Sequence, residues 1–212
     1  MKGNNMIVKQ VPLYEFLTTN AYFYIDEKTK HGFLVDPAAE ADKLLQIIKE
    51  NGWTIEKILI THGHFDHIGA VEKLAKELNI PYYIHINGKQ YLINPQMNLS
   101  AFFEKNIALS NADYVEDGDK ITLSAAPEVC LQVIHTPGHT TDSVVYYDKN
   151  NDVAFVGDTV FKDSEGRTDL PGGNSFQLYN SIKNKVMTLP EDTILYSGHT
   201  EKTSVQHEKG RF

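Results

Sequence analysis

The stretch THGHFDH, residues 61 to 67, places three histidines and one aspartate within seven residues. A folded core gains nothing from such a run, because imidazoles and carboxylates lose hydration when buried. Metal coordination is the chemistry that needs them. In extended chain, residues two apart point the same way, so His62 and His64 can face one point. Asp66 and His67 follow as the chain turns into a helix, and they would point to a neighbouring spot. An aspartate at a helix N-terminus is also favoured by the helix dipole, which is a structural reason for Asp66 taken alone.

Three further polar clusters follow apolar segments. HTPGHTTDS carries His135 and His139, FVGDT carries Asp158, and YSGHT carries His199. A glycine precedes His139, Asp158 and His199 in each case, and glycine lets the backbone turn sharply. With the first cluster, this gives five imidazoles (His62, His64, His67, His139, His199) and two carboxylates (Asp66, Asp158). Imidazole plus carboxylate without thiolate suits zinc, iron, manganese or nickel. Seven ligands exceed one tetrahedral ion. Two ions sharing a carboxylate use them well, and ions roughly 3.5 Å apart can hold a bridging hydroxide. The expectation is two divalent cations, zinc first, with iron or manganese as alternatives.

These clusters need elements to position them. NAYFYID and HGFLVD read as two strands joined by the polar EKTK. In EADKLLQIIKENG, Leu44, Leu45, Ile47 and Ile48 form one helical face, closed by Gly52. KILIT is a short buried strand that runs into the histidine cluster. After it, Ile68, Val71, Leu74, Ala75 and Leu78 keep helical spacing until Pro81. YYIHI is a further strand. Residues 87–119 are the least periodic, and the apolar end of NPQMNLSAFF reads either as packed loop or as a cover over a cleft. CLQVIHT, SVVYYD, VAFVGD and TILYSGH are strands. FQLYNSIKNKVMTLP predicts a helix with Phe176, Tyr179, Ile182, Val186 and Leu189 on its packed side. Grouped strands with helices between the groups predict an α/β fold in which strand layers are covered by helices, with residues 1–212 forming one domain of two similar halves.

The composition limits the partners. A formal net charge of −8, with lysines and arginines scattered, argues against nucleic acid. No apolar run approaches a membrane span, and MKGNNMIVKQ is not a secretory leader, so a cytoplasmic protein, monomeric or homodimeric, is expected. Cys130 is the sole cysteine, which excludes an internal disulfide, and it is expected to be a small core residue.

THGHFDH, TPGHT, GDTVF and SGH together resemble the metallo-β-lactamase superfamily. GDTVFKDSEGRTDLPGG is similar to the glyoxalase II-like (hydroxyacylglutathione hydrolase-like) members. The resemblance implies a four-layer αβ/βα sandwich with the metal site along one edge of the sheets. It implies that His62, His64 and His139 bind a first metal, that Asp66, His67 and His199 bind a second, and that Asp158 bridges them. It implies metal-dependent hydrolysis of a small-molecule thioester such as S-lactoylglutathione by a metal-bridging hydroxide, with Asp66 orienting the attacking oxygen. Arg167 would hold a substrate carboxylate, or else pair with Asp169 within its loop; glyoxalase II has an aromatic residue at that second position. His135 would support the site from behind or be a strand-end histidine with a backbone partner. The rival functions are an iron-dependent persulfide dioxygenase, using His62, His139 and Asp158, and a lactonase. His31, His85 and His207 belong to no motif.

Overall fold

Apolar runs without alternation, such as AYFYI, VVYY and AFVG, belong to strands covered on both faces. The computed structural model of the chain, which describes residues 5–212, contains two sheets built this way. Residues 1–4, the beginning of the stretch read above for a leader, lie outside the described residues. The first sheet runs in order through β1 (Met6–Tyr14), β2 (Thr18–Asp26), β3 (His31–Val35), β4 (Thr54–Leu59), β5 (Tyr82–His85) and β6 (Asp113–Val115). Its first three strands are antiparallel and the rest parallel. The chain then enters β7 (Lys120–Thr122), β8 (Cys130–His135), β9 (Val144–Asp148) and β10 (Val153–Gly157). A short ribbon of β11 (Val160–Phe161) and β12 (Ser164–Glu165) follows, then β13 (Ile194–Ser197) and β14 (Thr203–Ser204). The second sheet has the order β14-β13-β10-β9-β8-β7.

Alternation along each strand sorts its side chains between two cores. Tyr22 and Tyr24 of β2 point into the space between the sheets, with Phe33, Leu59, Tyr146 and Phe155. Phe23 and Ile25 point outward, under helices α1 (Ala41–Asn51) and α3 (Val71–Leu78) through Leu44, Ile48, Val71 and Leu74. On the second sheet Val145, Ala154 and Val156 face outward, under helix α5 (Ser175–Asn184) through Leu178 and Ile182. This gives four layers, helix–sheet–sheet–helix. Three tyrosine hydroxyls cross between the sheets: Tyr22 donates to the Ser197 carbonyl at 2.6 Å, Tyr24 to Asp148 at 2.7 Å and Tyr146 to the Ile60 carbonyl at 2.9 Å. Among the described residues no helix is long and apolar enough to cross a membrane.

Several elements differ from the sequence reading. The helix after the histidine cluster is two helices, α2 (Phe65–Ile68) and α3, separated at Gly69 and Ala70: Ala70 N–H donates to the Pro37 carbonyl at 3.0 Å, and a Cβ on Gly69 would meet the Ala38 carbonyl oxygen at 2.2 Å. Asn79, in left-handed conformation, ends α3 before Pro81 is reached. Helix α5 packs through Leu178, Ser181 and Ile182, while Phe176 and Tyr179 are exposed. Both stripes of that helix carry apolar residues, so spacing alone did not fix its rotation. Residues 87–119 hold α4 (Lys89–Ile93), a 3-10 turn at Ser100–Phe103 and β6. Cys130 opens β8 but is half-buried rather than a core residue.

Candidate metal centre

The first cluster sits where β4 runs out. Its backbone is clamped before any ligand is considered. Thr61 donates its N–H to Asp36 Oδ1 at 2.8 Å and its hydroxyl to Asp36 Oδ2 at 2.6 Å. Gly63 N–H donates to Asp142 Oδ2 at 2.9 Å, and Phe65 N–H to the Asn98 carbonyl at 2.8 Å. Asp36 ends β3 and Asp142 precedes β9, so both sheets hold this loop.

His62 Nε2 lies 3.1 Å from His64 Nδ1, and His139 Nε2 lies 3.0 Å from the same atom. Ligands about 2.0–2.1 Å from a tetrahedral cation would be roughly 3.3 Å apart, so these three nitrogens have nearly that spacing. A second group forms beside them: His199 Nε2 is 3.3 Å from Asp66 Oδ2, and His67 Nε2 is 3.8 Å from it. Asp158 faces both groups. Its Oδ2 is 3.6 Å from His139 Nε2 and 3.2 Å from His199 Nε2, while its Oδ1 is 3.4 Å from His67 Nε2.

The outer ring nitrogens decide whether these residues fit a cation. His67 Nδ1 donates to Asp36 Oδ2 at 2.9 Å, His139 Nδ1 to the Arg167 carbonyl at 2.8 Å and His199 Nδ1 to the Thr18 carbonyl at 2.8 Å. His62 Nδ1 faces the Thr61 hydroxyl at 3.2 Å, and that hydroxyl already donates to Asp36, so it accepts. Each outer oxygen fixes the Nδ1–H tautomer and aims the Nε2 lone pair inward. His67 Nε2 and Asp158 Oδ1 are buried without a hydrogen-bond partner. In the first group lone pairs converge with no proton donor among them, which fits a divalent cation, and in the second such a cation would take the place of the Nε2 protons of His67 and His199.

The local charges point the same way. Burial, and then the neighbouring imidazoles, hold His62 well below the ordinary histidine range, and the same causes take His64 down to about 3, so both stay neutral. Burial opposes ionisation of Asp158, but His67 and His199 outweigh it and keep the carboxyl well below its usual range. Asp66 is likewise held at about 2, chiefly by His67 against burial. Burial also opposes protonation of His199, yet Asp158 and Asp66 hold it up at about 10. This half of the site attracts positive charge, and a proton and a metal ion would compete for it.

Two glycines make the close approach possible. Gly157 has φ of +49°, and a Cβ on it would meet Thr61 Oγ1 at 2.3 Å. A Cβ on Gly198 would lie 2.2 Å from Asp158 Oδ1 and 2.8 Å from His67 Cε1.

The centre is the floor of a cleft of about 750 Å³. Leu17, Leu99, Phe102, Phe103, Phe161 and Leu170 form its walls. The NLSAFF stretch therefore covers the cleft, one of the two readings open from sequence. The structure brings His62, His64, Asp66, His67, His139, Asp158 and His199 together. Arg167 lines the cleft, but its Nε and Nη2 donate to the two oxygens of Asp169, each at 2.7 Å, and its carbonyl supports His139. His135 lies outside the ligand groups. It stacks on His85 with centroids 4.0 Å apart and bonds the Thr141 carbonyl at 2.9 Å. His31 pairs with Glu56, and His207 pairs with Asp163. Sequence reasoning missed Asp36, Thr61 and Asp142; an aspartate closing the apolar run HGFLVD was the available signal for the first.

The family model for the metallo-β-lactamase superfamily matches residues 14–199. A probable metallo-hydrolase, YqgX of Bacillus subtilis (strain 168), is 40% identical over 194 residues, covering 91% of this chain and 90% of the relative. The hydroxyacylglutathione hydrolase GloC of Haemophilus influenzae is 29% identical over 213 residues, covering 96% and 95%. Among solved structures, BLEG-1 B3 metallo-β-lactamase has a TM-score of 0.89 at 37% identity, covering 96% of this chain and 97% of its own. TTHA1623 in a di-iron-bound form has a TM-score of 0.84 at 31% identity, covering 95% and 96%. ETHE1 from Myxococcus xanthus has a TM-score of 0.78 at 32% identity, covering 96% and 82%.

Proposed function

Because this chain belongs to the metallo-β-lactamase superfamily, we propose that it is a metal-dependent hydrolase of a small thioester, working with two divalent cations at one buried centre. The observation that carries this reading is the position of Asp158, whose two oxygens lie 3.2–3.6 Å from ligand nitrogens of both groups. One cation would be held by His62, His64 and His139, the other by Asp66, His67 and His199, with Asp158 between them. Zinc suits this donor set, and the di-iron form of a similar structure makes iron the alternative.

When bound, the two cations supply Lewis acidity and shift the ionisation of water toward neutral pH. The chain's own residues do the rest. Asp66 faces the cleft with Oδ2 accepting from Thr19 at 3.3 Å, which orients its carboxylate beside the reacting carbonyl. With Asp66 and Asp158 both facing ligand nitrogens at 3.2–3.3 Å, their carboxylates would be committed to the cations and not free to protonate a departing group. A thiolate departs without a proton, which favours a thioester over an amide. The apolar walls favour an apolar substrate group beside the centre. S-lactoylglutathione is the reference compound implied by the sequence resemblance. A lactone would be attacked by the same machinery.

A dioxygenase would need one iron on His62, His139 and Asp158. The completeness of the second group, with His199 Nε2 3.3 Å from Asp66, supports a dinuclear hydrolase instead. The test is elemental analysis of protein purified without added metal, paired with hydrolysis assays on thioesters and lactones. About two metals per chain and turnover are expected. One iron per chain, with oxygen uptake on glutathione persulfide and no hydrolysis, would replace this reading with the dioxygenase.

A further inference from the structure

A glutathione thioester brings two carboxylates and an ammonium group into whatever site receives it. Arg167 is the sole lysine or arginine among the described residues lining the cleft, and Asp169 occupies both its Nε and its Nη2. The carboxylates on the lining are also committed: Asp66 and Asp158 belong to the ligand groups, and Glu165 pairs with Arg211 at 3.3 Å. Cations beside lining residues are also engaged: besides Glu165, Arg211 pairs with Glu208 at 3.0 Å. Lys105 lies over the Phe16 ring and is paired with Glu15, while Lys162, next to Phe161, is paired with Glu201 at 2.7 Å. A thiol carrying two carboxylates would find no lysine or arginine on the lining free to receive them.

The walls offer the opposite chemistry. Leu17 comes from the turn between β1 and β2, Leu99, Phe102 and Phe103 from the segment after α4, Phe161 from β11, and Leu170 from the loop beyond β12. Phe102 is 68% exposed and Leu17 50%. Large apolar side chains from four separate segments, converging above a polar floor and open to water, form a binding wall rather than a packing core. Phe103 is itself braced, with ring centroids 4.7 Å from Phe65 and 4.8 Å from Phe16.

We infer that the substrate of this centre is an uncharged thioester whose thiol half is apolar, an aryl-alkyl or alkyl group seated against Leu17, Phe102 and Phe103, and that glutathione thioesters are disfavoured. The inference rests on the hydrolase reading of the same centre. The reaction balances as hydrolysis: the oxygen of water bonds to the carbonyl carbon, the C–S bond breaks, its electron pair leaves with sulfur, and the products are a carboxylate and a thiol with one proton released. Asp169 acts here as a specificity-determining residue, since it neutralises the one cation that could receive a carboxylate.

The experiment uses the metal-loaded full chain and two thioesters with the same acyl group, S-lactoylglutathione and the lactoyl thioester of benzyl mercaptan. A kcat/KM at least about tenfold higher for the benzyl thioester is expected. Phe102→Ser and Leu17→Ser, both at exposed positions, should narrow that ratio by raising KM for the benzyl compound. Asp169→Ala, which frees Arg167, should lower KM for S-lactoylglutathione. Equal or better use of S-lactoylglutathione by the wild type overturns the inference. A binding arm follows benzyl methyl thioether and S-methylglutathione by NMR titration of the same protein. If no thioester is hydrolysed, the hydrolase reading fails, and the binding arm still decides the substrate class. Selective binding of the benzyl thioether, weakened by Phe102→Ser, upholds the apolar site; equal binding of the two thioethers removes it.

Discussion

At the scale of single residues, the centre depends on side chains that would never touch a cation. Asp36 is the clearest. One carboxylate takes the Thr61 N–H, the Thr61 hydroxyl and His67 Nδ1, so it sets both the path of the loop and the tautomer of one ligand. Asp36→Ala should weaken metal binding about 10- to 100-fold, the usual effect of losing such a partner. Chelator competition followed by elemental analysis measures this, and unchanged affinity would show that His67 is oriented by packing alone. The ligand candidates themselves were legible because four of them fall within THGHFDH, and the others follow glycines at the ends of apolar runs. Asp36 was not, because an aspartate closing a strand has several ordinary uses. Arg167 illustrates the converse. Its identity invited a role for the guanidinium, whereas its carbonyl is what reaches His139.

At the scale of elements, the site is an arrangement of strand ends. His62 follows β4, His139 follows β8, Asp158 follows β10 and His199 follows β13. The strands were readable as apolar runs, but the pairing of β10 with β13 across the α5 connection was not, since it depends on nonlocal contacts. Glu56 of β4 is a tie between the sheets that sequence did not mark. Its carboxylate accepts from Ser124 and Ala125 N–H at 2.5 and 3.0 Å and faces His31 Nδ1 at 2.8 Å. Burial raises its pKa, but these bonds together outweigh that and hold it below the ordinary 4.5. A lowered folded-state pKa contributes stability that is present above the unfolded value and is lost as pH falls through the folded one. Glu56→Ala should therefore cost about 1–2 kcal/mol at pH 7. Its difference from wild type should shrink as acid unfolding is followed below the ordinary glutamate range. A difference independent of pH would mean that Glu56 acts only by packing.

For the whole molecule, the ligand groups lie on segments that follow strands of both sheets: His62, His64 and, in α2, Asp66 and His67 from the first, His139, Asp158 and His199 from the second. A cation bound to both stabilises the folded state by mass action, about 2.7 kcal/mol when its concentration is a hundred times its dissociation constant. For a chain of this size that corresponds to roughly 5–10 °C in Tm. Dialysis against a chelator should lower Tm by about that amount, and returning zinc should restore it; an unchanged Tm would mean that the sheets are held without the centre. The apolar core between the sheets, the three tyrosine hydroxyls that cross it and the Glu56 tie hold that association independently of metal.

The sequence by itself determined the class of fold and the candidate donor residues that the structure brings together. Metal ligands are rare residue types in close local spacing, and strands covered on both faces must read as unbroken apolar runs. The resemblance already singled out Asp158 as the carboxylate facing both ligand groups; only the tertiary structure decided which face of α5 packs and what Arg167 does with its charge. Those outcomes depend on distances of a few ångströms between segments far apart in the chain, and local pattern carries no record of them. The cleft is the largest such case. Leu17 and Leu170 carry no signal in sequence, and with Phe102, whose stretch was one candidate cover, they become one apolar wall only where four segments meet over the same floor.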